Sequence, residues 1–132
     1  MENIKLELQE YGNYWCTFFS NDTIIILALL FTSDLGCPGT SLDDWIFDDD
    51  KGTRTSGNSV VLEKEGKYIY LFDLYDENGC LFKEDLVETK LKISRQQLAQ
   101  LIYDWQEKVC KLKPQAVTIT QENDTFTLTT SN

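Results

Sequence analysis

One stretch limits the fold more than any other: Leu98, Leu101, Ile102, Trp105, Val109 and Leu112 recur at the three- and four-residue spacing of an amphipathic helix. The stripe predicts a helix over Ser94 to Leu112. Ser94 stands where an N-cap belongs, Gln97 follows as in a capping box, and Ile93 and Leu98 occupy the two positions of a hydrophobic staple. Lys108 and Lys111 lie near the carboxyl end, where the helix dipole favours cations, and Pro114 stops the helix. Trp105, in the middle of the stripe, reads as core. Such a stripe needs an apolar surface to cover, and the rest of the chain supplies strands.

Ile4, Leu6 and Leu8 alternate with Lys5, Glu7 and Gln9, the two-residue period of a half-buried strand, and the aromatic run Tyr11 to Phe19 continues as a second. Ser59 to Lys64 and Lys67 to Tyr75 read as strands joined at Glu65-Gly66. Tyr68, Tyr70, Phe72 and Leu74 share one face of the latter, with Ile69, Leu71 and Tyr75 on the other. Apolar residues on both faces predict a central strand, covered by helix on one side and by further chain on the other. Asn78-Gly79 is a strong turn signal that would return Cys80 to Phe82 beside it. Val87, Thr89, Leu91 and Ile93 alternate as another strand, and Val117 and Ile119 begin one that Asn123-Asp124 turns into Phe126, Leu128 and Thr130. The expectation is an α+β fold: a mostly antiparallel sheet packed against one long helix in the C-terminal half, with one or two short helices in the N-terminal half. At 132 residues and 42% hydrophobic, the chain fits a single globular domain over residues 1–132.

Two segments resist this reading. In Thr23 to Phe31, Ile24, Ile25 and Ile26 favour strand while Leu27, Ala28, Leu29 and Leu30 favour helix, with Asn21 or Asp22 available as a cap. The run is too short to cross a bilayer as a helix, and Met1 to Glu10 lacks the order of a secretory signal, so a cytoplasmic, non-membrane protein is expected. Residues 32–57 read as an acidic loop region punctuated by Gly36, Pro38, Gly39, Gly52 and Gly57, with one or two helical turns after Ser41 carrying Leu42, Trp45 and Ile46. Cys16, Cys37, Cys80 and Cys110 contain no close pair of the metal-binding or thiol-exchange kind, and independent thiols are expected.

Charge narrows the function. Residues 1–57 carry ten carboxylates against three bases, residues 58–93 eight against five, and residues 94–132 four against four, which sums to a formal net charge of -10. Such a surface repels nucleic acid and anionic lipid and attracts a basic protein. The chain has no histidine, which removes histidine-dependent nucleophilic catalysis and imidazole metal ligands, and its glycines form neither a Walker loop nor a dinucleotide fingerprint. A calcium loop counted from Asp48 would need a glutamate where Ser59 stands. No catalytic, cofactor or metal-binding residue is assigned, and a non-enzyme is expected. The partner-binding candidates are Asp43, Asp44, Trp45, Asp48, Asp49 and Asp50, with Asp73, Asp76 and Glu77 extending the patch. For the acids the competing reading is a solvated loop. For Trp45, an aromatic anchor competes with a residue that closes the core under the loop.

The run Lys92-Ile93-Ser94-Arg95-Gln96-Gln97-Leu98, opening a helix that carries Asp104-Trp105, resembles immunity proteins of the bacterial contact-dependent growth inhibition and polymorphic toxin systems. The small size, acidity, hairpin-rich sheet and closing strand pair belong to the same likeness, which is one of general character across the chain. It implies a stoichiometric inhibitor that binds and neutralises a cognate toxin domain, often a basic nuclease, by acidic-surface docking. Two other classes compete: a carboxylate-dependent enzyme or cation-binding domain, and an adaptor for another cellular protein. Self-association is left open.

Overall fold

In the computed structural model, which describes residues 1–35, 42–73 and 90–132, the chain opens with β1 (Glu2–Leu8) and β2 (Tyr14–Phe19). Next come α1 (Ile25–Leu29), continued by a π-helical stretch Leu30–Leu35, and α2 (Leu42–Phe47), followed by a 3-10 turn at Asp49–Lys51. Then follow β3 (Arg54–Ser56), β4 (Val60–Glu65), β5 (Tyr68–Asp73) and β6 (Lys90–Ser94). The long helix α3 (Arg95–Asp104) continues through π-helical turns at Trp105–Cys110 and leads to β7 (Ala116–Glu122) and β8 (Thr125–Ser131).

The fold is α+β, and the described strands divide between two four-stranded antiparallel sheets rather than one, in the orders β2-β1-β7-β8 and β3-β4-β5-β6. One apolar core nevertheless joins them. Ile4, Leu6, Val117 and Ile119 from the first sheet and Leu62, Ile69, Leu71 and Leu91 from the second belong to a single buried cluster with Phe31, Ile46, Leu98 and Trp105. The helices make the connection, since α1 contacts β1 and β5, and α3 contacts β6, β8 and α2.

The run with mixed propensities is helical. Asn21 Oδ1 accepts the N–H groups of Thr23 and Ile24 at 3.1 and 2.8 Å, and Ile24, Ile26, Leu27, Ala28, Leu30 and Phe31 are all buried. Burial on nearly every side explains the missing amphipathic signal, and tertiary packing overrides the β preference of the three isoleucines. α3 begins as its sequence predicts, with Ser94 Oγ accepting the Gln97 N–H at 3.1 Å. Gln97 does not complete a capping box. Its side chain crosses to the β7–β8 hairpin instead, donating to the Asp124 carbonyl at 2.6 Å and accepting the Phe126 N–H at 2.6 Å. Leu112 drops out of the buried stripe and is 72% exposed, because the wider π turns break the helical spacing and the helix ends at Cys110.

β5 is a central strand between β4 and β6. On its outer side the cover among the described residues is lysine rather than further chain: Lys92 Nζ lies 4.1 Å from the Tyr68 ring centroid and Lys90 Nζ 4.7 Å from that of Tyr70. β3 occupies a stretch that reads as loop, paired to β4 and tied by an Arg54–Glu63 ion pair. The turn at Asn78-Gly79 and the strand at Cys80 to Phe82 fall outside the described residues. Cys16 is free, whereas Cys110 is disulfide-bonded. This corrects the expectation of independent thiols, since separation along a chain sets no lower limit on separation after folding.

Candidate docking surface

α2 has an inner and an outer face, and the helical period sorts its residues between them. Trp45 and Ile46 turn into the core, while Asp43, Asp44 and Phe47 point to solvent. Phe47 follows Asp44 by three positions and Asp43 by four, so the three form one surface strip. Asp43 and Asp44 also lie in the first turn of α2, where carboxylates are favoured by the exposed N–H groups.

The far end of α2 is held by two cations. Arg95 Nη1, at the start of α3, donates to the Ile46 carbonyl at 3.2 Å and to Asp49 Oδ1 at 2.9 Å. Lys64, a buried residue of β4, donates from Nζ to the Asp48 carbonyl at 2.9 Å and lies 4.2 Å from the Trp45 ring centroid. Positive groups at a helix C-terminus complement its dipole, and the lysine also gains from the face of the indole. Asp48 caps the 3-10 turn, its Oδ1 accepting the Asp50 N–H at 3.0 Å. Below this segment, Asp34 clamps the start of β4 by accepting the N–H groups of Ser59 and Val60 at 2.8 and 2.9 Å. Gly57 is required beside it, since a Cβ there would stand 2.5 Å from Asp34 Oδ2.

The acid cluster therefore divides. Asp48 and Asp49 hold the local fold, while Asp43, Asp44 and Asp50 are exposed and make no described ion pair. Asp73 ends β5 opposite Val60, half-buried and engaged in an interaction of its own. Asp76 and Glu77 lie outside the described residues. Trp45 takes the core-closing role of the two its sequence context allows: it is 7% exposed, and among the described residues its indole N–H meets no hydrogen-bond partner. The exposed aromatic at the patch is Phe47, at 58%. It was legible in principle, because once Leu42, Trp45 and Ile46 are assigned inward, position 47 must face out with Asp43 and Asp44.

A second exposed aromatic group lies elsewhere. On β2, Trp15 is 62% and Phe18 52% exposed, each paired across to an outward residue of β1, Glu7 and Lys5. Cys16, between them, donates to the Phe18 carbonyl at 3.3 Å, and burial pushes its thiol up in pKa against the opposing effect of that bond. A raised thiol pKa keeps it in the poorly nucleophilic form. Among the described residues no three His, Cys, Asp or Glu side chains converge as a metal site. No helix of the described residues is long and apolar enough to cross a membrane. In comparisons with known proteins, no family model, no curated protein and no solved structure matches this chain.

Proposed function

We propose that this protein is an immunity-type inhibitor that docks onto a basic toxin domain, of the nuclease class, through the outer face of α2. The supporting observation is the exposed Phe47 beside Asp43 and Asp44 on α2, with Asp50 in the turn that follows, three exposed carboxylates that make no ion pair among the described residues. Charge steers the encounter, because a net charge of -10 attracts a basic partner across a Debye length and raises the association rate. A desolvated aromatic then slows dissociation. Nuclease grooves are basic because they hold phosphate, so carboxylates occupy them by mimicry and occlusion. Arg95 and Lys64 take no part in docking; they hold α2 in place.

The test is co-purification with the product of the adjacent gene, followed by calorimetry. Phe47→Ala is expected to weaken binding chiefly through faster dissociation, and Asp43→Asn with Asp44→Asn through slower, less salt-dependent association. A folded protein that binds no such product overturns the immunity reading. An inhibitor of a nuclease works where the nucleic acid is, which places it in the cytoplasm. The Cys110 disulfide pulls the other way, because such bonds are rare in reduced compartments. Blocking thiols in intact cells before lysis decides between them: an alkylated Cys110 fits the cytoplasmic assignment and a protected one removes it.

A further inference from the structure

The inner face of α2 borders a cleft of about 240 Å³. Leu42 and Trp45 form its wall on that side, Leu30 and Leu62 add to the apolar lining, and Asp34 and Ser56 bring polar groups. The volume lies below the roughly 300–1,000 Å³ of small-molecule pockets. It suits one side chain rather than a cofactor.

Asp34 sets the chemistry of the occupant. The residue is half-buried, and its carboxylate accepts the Ser59 and Val60 N–H groups at 2.8 and 2.9 Å. An ionised carboxylate has about four acceptor sites, so capacity remains on both oxygens. Among the described residues Asp34 makes no ion pair. The nearby ammonium of Lys64 is engaged elsewhere, on the Asp48 carbonyl and the Trp45 ring. A charge drawn out of water without a counter-ion costs free energy, which a cation brought to it would offset.

We infer that this cleft receives one arginine or lysine side chain of a basic partner, with the aliphatic stem along Leu30, Leu42 and Leu62 and the charged head on the Asp34 carboxylate. The source of that side chain rests on the docking reading above; its chemistry rests on the cleft. An anion is repelled by Asp34 and by a net charge of -10, and a wholly apolar group would desolvate the carboxylate further without pairing it. Long basic side chains meet both demands, since they bury their stems while the head keeps a polar partner. Arginine seated in a pocket is also a frequent hot spot of interfaces. α2 then serves the partner with both faces, Phe47 and the acids outside and Leu42 and Trp45 as a wall inside.

n-Butylguanidinium, which copies the end of an arginine, tests the cleft on the full chain with no partner present. In NMR titrations it is expected to shift the Asp34 and Gly57 amides and the Trp45 indole N–H along saturating curves. n-Butanol, with the same stem and no charge, is expected to bind at least about tenfold more weakly. Asp34→Asn should bring the two probes level. Ser56→Phe fills the cleft from an exposed position of β3 and should abolish the shifts while the Asp34 bonds stay in place, which keeps the test intact if the asparagine variant fails to fold. Equal shifts from both probes, shifts that never saturate, or shifts that persist in Ser56→Phe overturn the inference. The docking reading fails separately: a chain that takes n-butylguanidinium but binds no adjacent-gene product loses that reading alone, whereas a product bound equally well by wild type and Ser56→Phe removes the cleft from the interface and leaves the outer face of α2.

Discussion

The sheet β3-β4-β5-β6 carries charge on both of its edge strands, whereas in β2-β1-β7-β8 neither edge strand carries any. The difference goes further than charge. The pairs β3–β4 and β4–β5 of the former are near neighbours in sequence, while the latter depends on β1 meeting β7, with Glu2 opposite Gln121. Closing so long a loop costs entropy before any contact repays it, so that pairing is the more costly of the two to nucleate. The comparison teaches that protection follows locality only in part. Among the described residues the locally built sheet is covered by lysine on its outer side, whereas the sheet that depends on the long-range pairing has a bulge in β2 and, at β8, the Gln97 side chain of α3 on the Phe126 amide.

Removing a large side chain from the core that both sheets share is the strongest way to test the comparison. The Trp105 ring packs edge-on to Tyr14 of β2, 5.7 Å between centroids, and at a tilt to Phe31, 5.1 Å, inside the cluster shared by both sheets. Trp105→Ala is expected to cost about 3–5 kcal/mol, enough to threaten a domain of marginal stability. A urea midpoint that hardly moves would contradict the placement of Trp105 in the core. A matched pair sharpens the point: Ile119→Ala in β7 and Leu71→Ala in β5 each remove a side chain with no solvent exposure at about 2–5 kcal/mol. Both are expected to unfold in one transition seen alike by fluorescence and circular dichroism. Two separated transitions in either variant would make the sheets independent units.

Tyr14 ties the open sheet to the end of α3 and reports on it through pH. Its hydroxyl donates to the Pro114 carbonyl at 2.6 Å, and burial raises its pKa above the ordinary 10.0. The folded state thus holds the proton more tightly than the unfolded state. The stabilisation is complete below the ordinary value and is lost as pH rises through the raised one. Tyr14→Phe should cost about 1 kcal/mol at neutral pH and reduce the alkaline fall in melting temperature. An identical fall in both proteins would show that Tyr14 ionises freely.

The legible elements were those with one wet face or a clear turn. β1, β7, β8 and the start of α3 announce themselves by period, because solvent on one side writes an alternation into the sequence, and the β4–β5 hairpin, apolar on both faces of β5, by its Glu65-Gly66 turn. α1 was ambiguous since nearly all of it is buried, and β3 was missed because three residues cannot establish a period. The division into two sheets was not legible, as no local signal tells β1 that its neighbour is β7. At the candidate site the acids were visible but their roles were not. Asp49 is committed to Arg95, forty-six positions away, and Trp45 to Lys64, partners that only the fold brings near.

The smallest expected effect on stability separates the acids that hold the fold from those left to a partner. Replacing Asp48, Asp49 and Asp50 together with asparagine removes three charges at similar volume. Asparagine keeps the cap at position 48, because its side-chain oxygen still accepts the N–H of residue 50. The Asp49–Arg95 pair is lost, but its carboxylate is exposed, and exposed pairs are worth about 0–1 kcal/mol. Relief of self-repulsion offsets part of that loss, so the net change in folding free energy should stay within about 1 kcal/mol. Binding to a basic partner should respond differently: Asp50 contributes long-range attraction, so association slows and its salt dependence flattens while dissociation, governed by Phe47, changes little. Superimposable association rates across ionic strength would leave Asp43 and Asp44 as the charged contribution of α2. A marked loss of stability would instead show that Arg95 depends on Asp49 to hold α2 against α3.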